Sequence, residues 1–121
     1  MAATTSVLNL PSQPPYARES IAALTTAKGL TAATYNTTNT SASPYDAYSH
    51  TKRPEAALIQ VKTSGGINWT IDSTTPTVGA VGFVNVVGDF IFLHSYASIA
   101  AFQCINTGAG DGATIEVCYF R

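Results

Sequence analysis

The amino-acid sequence predicts an all-β fold, a small β-sandwich or barrel of about six antiparallel strands that follows an extended amino-terminal arm. Two observations carry this prediction. Between residues 55 and 121, short segments rich in Val, Ile and Phe recur at even spacing, separated by the turn residues Gly, Asp and Pro. In addition, only 11% of the residues are charged, whereas Thr, Ser and Asn are abundant throughout, as in many extracellular β proteins and proteins that function inside an assembly.

The chain divides at residue 54 into two predicted regions. Residues 1–54 form an arm and loop region, and residues 55–121 form the β domain. Residues 1–15 are small, polar and proline-containing, without sustained periodicity, which predicts an extended arm. Residues 16–28 could form either a short helix or a strand, and residues 30–37 alternate in the manner of a short edge strand.

Two tyrosines, Tyr45 and Tyr48, lie in a loop bounded by Pro44 and Pro54. A tyrosine offers a large contact area with a polar tip, so the pair could anchor the loop to a partner surface. The alternative is that both rings cover the edge of this chain's own sheet.

Six strands are predicted in the β domain: residues 57–63, 67–71, 80–86, 90–94, 99–105 and 114–120. We expect consecutive strands to pair as three hairpins, across turns at residues 64–66 and 88–89 and across the glycine-rich loop 106–112. A β domain of this size buries too little surface to be comfortably stable alone. Help from the amino-terminal segment or from a partner subunit is therefore expected.

The second predicted strand carries the candidate core. Ile67, Trp69 and Ile71 fall on one face of it because side chains alternate along a strand. Trp69 is the sole tryptophan, and it could alternatively serve as a platform on which a sugar ring stacks. Its alternation with two isoleucines favours the core.

The fourth predicted strand is the candidate subunit interface. Its residues Phe90, Ile91, Phe92 and Leu93 are four consecutive large apolar side chains. They cannot all face one core, so one face is expected to meet a second layer or another subunit.

The two cysteines, Cys104 and Cys118, are too few for a disulfide framework. On the arms of the last predicted hairpin they would be several residues out of register, beyond the ~7 Å between Cα atoms that a disulfide allows. Two free, mostly buried thiols are expected.

The sequence contains no recognisable catalytic or metal-binding constellation, so we expect a protein that is not an enzyme and that has no metal or cofactor. Neither His50 nor His94 has a Cys, Asp or Glu at metal-ligand spacing. The aspartates Asp72, Asp89 and Asp111 all fall at predicted turns. The glycine-rich loop lacks the Lys-Ser/Thr pair of a phosphate-binding loop.

The charge and hydropathy patterns argue against two classes of partner. The net charge is −1 and the few Lys and Arg are scattered, whereas nucleic-acid binding needs a basic stripe. No apolar run approaches the ~20 residues that span a bilayer. The amino terminus lacks the basic and apolar regions of a signal peptide, so synthesis and retention in a cytoplasm, with release by lysis or in a larger particle, are expected.

Several short motifs resemble those of small β-rich virion proteins of tailed bacteriophages. The matching features are an alanine-led first strand at Ala57, Trp69 followed by the turn Asp72 to Pro76-Thr77, the Gly88-Asp89 turn before an apolar strand, and the terminal Tyr119-Phe120. The resemblance covers about residues 55–121.

This resemblance implies a capsid decoration (cement) protein, assembled in the host cytoplasm and bound to the outer surface of the phage head. Its partners would be the major capsid protein and further copies of itself, in a symmetric oligomer expected to be a trimer. Tyr16, Tyr45 and Tyr48 are the candidate capsid contacts. The alternative is a head-fibre, neck or tail component that binds a carbohydrate or receptor, which requires Trp69 to be exposed beside tyrosines in a shallow groove.

Overall fold

The computed structural model describes residues 14–39 and 50–121. They form ten strands and two short helices: β1 Ala17–Ile21, β2 Lys28–Gly29, α1 Ala32–Tyr35, β3 Thr37–Asn39, β4 His50–Lys52, β5 Ala56–Thr63, β6 Gly66–Thr70, β7 Phe83–Val86, β8 Phe90–Leu93, α2 Tyr96–Ala101, β9 Gln103–Asn106 and β10 Ala113–Phe120.

Eight of the strands form two four-stranded antiparallel sheets, which confirms the predicted all-β fold. The first sheet has the order β1-β10-β5-β8 and the second the order β2-β9-β6-β7, while β3 and β4 pair separately. One core of buried side chains includes Ile59 and Val117 of the first sheet and Ile67 and Cys104 of the second. The two sheets therefore pack on one another as a sandwich.

Strands that are consecutive in the chain occupy matching positions in the two sheets. In this way β1 matches β2, β10 matches β9, β5 matches β6, and β8 matches β7. Each of these four connections carries the chain from one sheet to the other. This arrangement of two interleaved four-stranded sheets is the strand order of a jelly roll.

The three predicted hairpins are wrong, although the predicted strands and turns are largely present. The connection between β7 and β8 shows why: the Val87 N–H donates to the Gly65 carbonyl beside β6, whereas the Gly88 N–H donates to the Val61 carbonyl of β5 in the other sheet. A turn rich in Gly and Asp can reverse the chain within a sheet or carry it between sheets. The strands' own periodicity does not distinguish these outcomes.

The candidate core on β6 is only partly as predicted. Ile67 is fully buried, and Trp69 is half-buried and packs against the core. Ile71 is 38% exposed, so its assignment to the core is wrong. Strand β6 ends at Thr70, so the alternation of faces does not extend to Ile71.

The predicted division at residue 54 does not match a boundary in the sheets. Strand β1 pairs with β10, and β2 pairs with β9, so part of the predicted arm region belongs to the sandwich. This confirms the expected help from the amino-terminal segment. Residues 30–37, predicted as a strand, contain α1. Residues 1–13 of the arm lie outside the described residues.

The two cysteines are free, as predicted, but a register offset within one hairpin is not the reason. Cys104 lies in β9 of the second sheet and is buried, whereas Cys118 lies in β10 of the first sheet and is half-buried. Their separation follows from the position of their strands in different layers.

Candidate interaction surface

Strand β7 forms an edge of the second sheet and exposes apolar side chains on both of its faces. Phe83, Val84 and Val86 are 66%, 61% and 56% exposed, and Val87, which follows the strand, is 43% exposed. We name these four side chains the β7 surface. An edge strand with apolar side chains on both faces is unusual, because exposed edges are ordinarily protected by charged residues, proline or a covering segment.

The backbone of the β7 surface is partly blocked by Asp89. The Val87 N–H points to β6, where it donates to the Gly65 carbonyl (3.1 Å), so the N–H of Val86 points away from β6. That N–H donates to Asp89 Oδ2 (2.9 Å), which also accepts from Asn85 Nδ2 (3.2 Å). The occupied N–H cannot pair with an additional strand, whereas the apolar side chains are available.

Two glycines allow β7 to lie against β6. A Cβ at Gly66 would lie 2.4 Å from the Asn85 carbonyl oxygen, and a Cβ at Gly82 would lie 2.9 Å from both the N and the O of Trp69. Gly82 also has a φ of +121°, a conformation that side chains with a Cβ rarely adopt. These two glycines therefore position the β7 surface at the sheet edge.

A groove of about 390 Å³ lies beside the β7 surface. Its lining is Thr70, Ile71, Asp72, Thr74, Val81, Gly82 and Phe83. The Asp72 carboxylate accepts a hydrogen bond from the Thr74 N–H (3.1 Å), and this bond is the main cause that lowers the pKa of Asp72. The groove thus extends the apolar area beyond β7. The Asp72 carboxylate in its lining is hydrogen-bonded within its own turn.

Trp69 is half-buried, and its ring and its N–H are engaged by neighbouring groups. Its ring stacks on Phe102 with centroids 5.8 Å apart and meets Phe83 with centroids 5.2 Å apart. Its indole N–H donates to Asn85 Oδ1 (2.7 Å). A sugar platform needs a free aromatic face. The contacts of Trp69 instead join the core to Phe83.

The four residues proposed for a subunit interface on β8 have two different environments. Ile91 and Leu93 are 5% and 4% exposed and belong to the core. Phe90 is 48% exposed and Phe92 is half-buried, so only these two are available to a partner. Strand β8 alternates between the core and the outer face of the first sheet, as one layer of a sandwich requires.

Of the three proposed capsid contacts, the structure describes only Tyr16. Tyr16 is half-buried, and its hydroxyl donates to the Tyr35 carbonyl (2.7 Å). Burial raises the pKa of Tyr16 to about 12. Tyr45 and Tyr48 lie outside the described residues.

The segments that flank these tyrosines are attached at one end of the sandwich. At this end the Glu55 N–H donates to the Phe120 carbonyl (2.8 Å). Asn36, which precedes β3, donates to the Tyr96 hydroxyl (3.2 Å), and Arg53, which follows β4, stacks over the same ring at 5.1 Å. Strands β3 and β4, between which Tyr45 and Tyr48 fall in the sequence, are therefore anchored near the carboxyl terminus of β10.

The edge of the sandwich that lies across the two sheets from β7 and β8 is covered by segments of the same chain. There the Glu19 carboxylate of β1 accepts hydrogen bonds from the Tyr119 hydroxyl and from the Thr31 N–H just before α1. Burial is the main cause that raises the pKa of Tyr119 and Tyr35. We name β1, β2 and the covering segment 30–36 the β1 edge.

Among residues 14–39 and 50–121, no group of three or more His, Cys, Asp or Glu side chains could hold a metal ion.

Burial raises the pKa of the Cys104 thiol to about 12, so this thiol stays protonated at neutral pH and is a poor nucleophile. Glu116 lies on the outer face of the first sheet, where a hydrogen bond from Ser20 is the main cause that lowers its pKa.

Comparisons with family models, with curated proteins and with solved structures found no match to this chain. In the described part of the chain, none of the helices has the length and apolar character needed to cross a membrane.

The β7 surface was not identified from the sequence, although a signal for it is present. The run 83–87 is apolar on both faces except for Asn85, and it contains no charge. The sequence pattern places the candidate interface on Phe90–Leu93, because four consecutive large apolar side chains cannot all face one core. Because β7 is an edge strand of a separate sheet, its apolar side chains indicate an interaction surface more strongly than those of β8 do.

Proposed function

We propose that this chain is a non-enzymatic structural protein of a tailed-bacteriophage virion, a decoration protein that binds the outside of the head and stabilises the capsid lattice. The observation that carries the proposal is the β7 surface, an apolar sheet edge on a weakly charged domain, which supports a protein that works in contact with other subunits of an assembly. Exposed apolar patches on soluble domains mark interaction sites. The motifs shared with small phage virion proteins supply the class of particle.

In this proposal the work of the protein is binding. Apolar surface that is buried against neighbours contributes about 25 cal/mol per Å² of gross stabilisation, from which the entropy cost of association is subtracted. Several copies held around a symmetry axis would give firm attachment from individually weak contacts. The major capsid protein is the proposed partner, and the protein resides on the exterior of the particle.

The loop that carries Tyr45 and Tyr48 is the proposed capsid contact. Its support is the anchoring of β3 and β4 at one end of the sandwich, through Asn36 and Arg53 at Tyr96. Docking through this end would leave the β7 edge free for other contacts. The carbohydrate-binding alternative receives no comparable support, since both its platform residue Trp69 and Tyr16 are engaged within the fold.

The test is co-sedimentation with heads that lack the decoration protein, assembled from the major capsid protein of the same phage. The full-length chain is expected to pellet at a fixed ratio to the capsid protein. Combining Tyr45→Ser with Tyr48→Ser should weaken binding at least tenfold, because two ring contacts are lost. Combining Tyr45→Phe with Tyr48→Phe keeps the rings and should retain most of the binding. If the unsubstituted chain stays in the supernatant at every concentration, the decoration role is wrong.

A further inference from the structure

We propose that the β7 surface is the contact between copies of this chain, so that the protein forms a closed homo-oligomer through β7. This inference deepens the proposed function and rests on it for the symmetric arrangement on a head. The occupant of the apolar edge is a second copy of the same surface or of the groove beside it.

The absence of charge at this edge favours a second copy over a strongly charged partner. The sequence contains no charged residue between Asp72 and Asp89. Both of these carboxylates are engaged locally, Asp72 with the Thr74 N–H and Asp89 with Asn85 and Val86. A neutral apolar surface can face its own copy without like-charge repulsion, whereas a strongly charged partner would gain nothing from it.

The exposed area is also adequate for self-association. The β7 surface, with Ile71 and Val81 beside it, exposes roughly 500 Å² of apolar residue surface, on the basis of the area that large side chains present. A stable interface buries about 800 Å² on each partner. Rim residues would supply the remainder.

The backbone at the edge favours a closed assembly over an endless one. Because Asp89 occupies the N–H of Val86, a neighbouring β7 cannot continue the sheet through that group. Copies must therefore meet mainly through Phe83, Val84 and Val86 side chains. Such packing can close around a symmetry axis.

The test is sedimentation velocity of the full chain over a range of micromolar concentrations. The unsubstituted protein is expected to sediment as one defined oligomer. Combining Val84→Lys with Val86→Lys should raise the dissociation constant on the order of a hundredfold, because two charges would be buried without partners. The isosteric pair Val84→Thr with Val86→Thr should show a smaller loss in the same direction, and it guards against an effect of the lysines on folding.

The matched control places two lysines on the opposite side, at Ala22 and Thr25 in the exposed connection between β1 and β2. Ala22→Lys with Thr25→Lys should leave the oligomer unchanged. The inference is overturned if the unsubstituted chain is a monomer, if the β7 variants remain fully assembled, or if the control dissociates equally. A monomer that still pellets with heads overturns only this inference, whereas an oligomer that ignores heads overturns only the proposed function.

Discussion

The β1 edge and the β7 edge lie on opposite sides of the same two sheets, yet they are completed in different ways. At the β1 edge, Glu19 holds Tyr119 and the backbone of Thr31, and α1 packs beside it. At the β7 edge, Phe83, Val84 and Val86 are more than half exposed. The same fold thus satisfies one edge within the chain and leaves the apolar side chains of the other edge exposed.

The two edges separate groups that stabilise the fold from groups that are exposed on its surface. Groups at the β1 edge are engaged with one another, so changes there should act on folding. Val84 and Val86 of the β7 surface are more than half exposed, so changes there should act on association. Substitutions that change folding stability without changing association, or the reverse, test this division between the edges.

The largest effect should come from detaching β7 from β6. Gly66→Ala would put a Cβ 2.4 Å from the Asn85 carbonyl oxygen, a backbone atom that cannot move aside cheaply. We expect a loss of about 3 kcal/mol or more in the free energy of unfolding, measured by urea denaturation. Gly110→Ala is the control, since a Cβ added there would have nothing within 4 Å, and it should change stability by less than about 0.5 kcal/mol.

The second effect compares the same substitution at a buried and an exposed position. Val117 is fully buried and Val84 is 61% exposed. Val117→Ala should lower the free energy of unfolding of the monomer by about 2 kcal/mol, through lost burial and the cavity left behind. Val84→Ala should cost less than about 0.5 kcal/mol in the monomer but weaken the oligomer. Equal losses from the two substitutions would contradict the division between the edges.

The third effect concerns Asp89, the residue that blocks the backbone of β7. Asp89→Ala removes the acceptor for the Val86 N–H and should lower the free energy of unfolding by about 1 kcal/mol. It should also promote open-ended assembly, visible as a rise in light scattering with time, because the freed N–H can pair with another strand. Asp72→Ala, which removes a comparable turn bond at Thr74, should not promote such assembly.

The smallest expected effect is a loss of stability at alkaline pH. The pKa of Tyr16 is raised to about 12 and that of Tyr119 is raised further, so the folded state keeps these protons after the unfolded chain begins to lose them near pH 10. Stability is therefore fully present below about pH 10 and should fall as the pH rises above it. Urea midpoints between pH 8 and 12 measure this fall, and Tyr119→Phe should make it shallower. Association through the β7 surface, which has no tyrosine, should not weaken before unfolding begins.

The sequence was sufficient to predict most strands of the β domain and insufficient to predict their partners; the predicted strand 99–105 begins in α2. Alternation located β5, β6 and β8 to within a few residues, because alternate burial is imposed locally by the pleat. Pairing is decided by packing between layers, and turns such as Gly88-Asp89 serve a hairpin or a crossing between sheets equally well. The place of β1 in the first sheet is not predicted for the same reason. Its sequence, ARESI, does not show that it pairs with β10.

The candidate sites show the same limit. An apolar run longer than one face can bury indicates that some apolar surface remains exposed. Which run remains exposed depends on sheet order: β8 turns Ile91 and Leu93 into the core, whereas β7 at the edge leaves Val84 and Val86 exposed. Sequence patterns alone do not contain that order.

The most direct test of the central claim is amide hydrogen exchange along the two edges at protein concentrations above and below the dissociation constant of the oligomer. We predict that protection in β7, residues 83–86, rises with concentration, while protection in β1, residues 17–21, stays constant. Protection that is independent of concentration at β7, or that rises equally at both edges, would contradict the claim that the β7 surface is where copies of this chain meet.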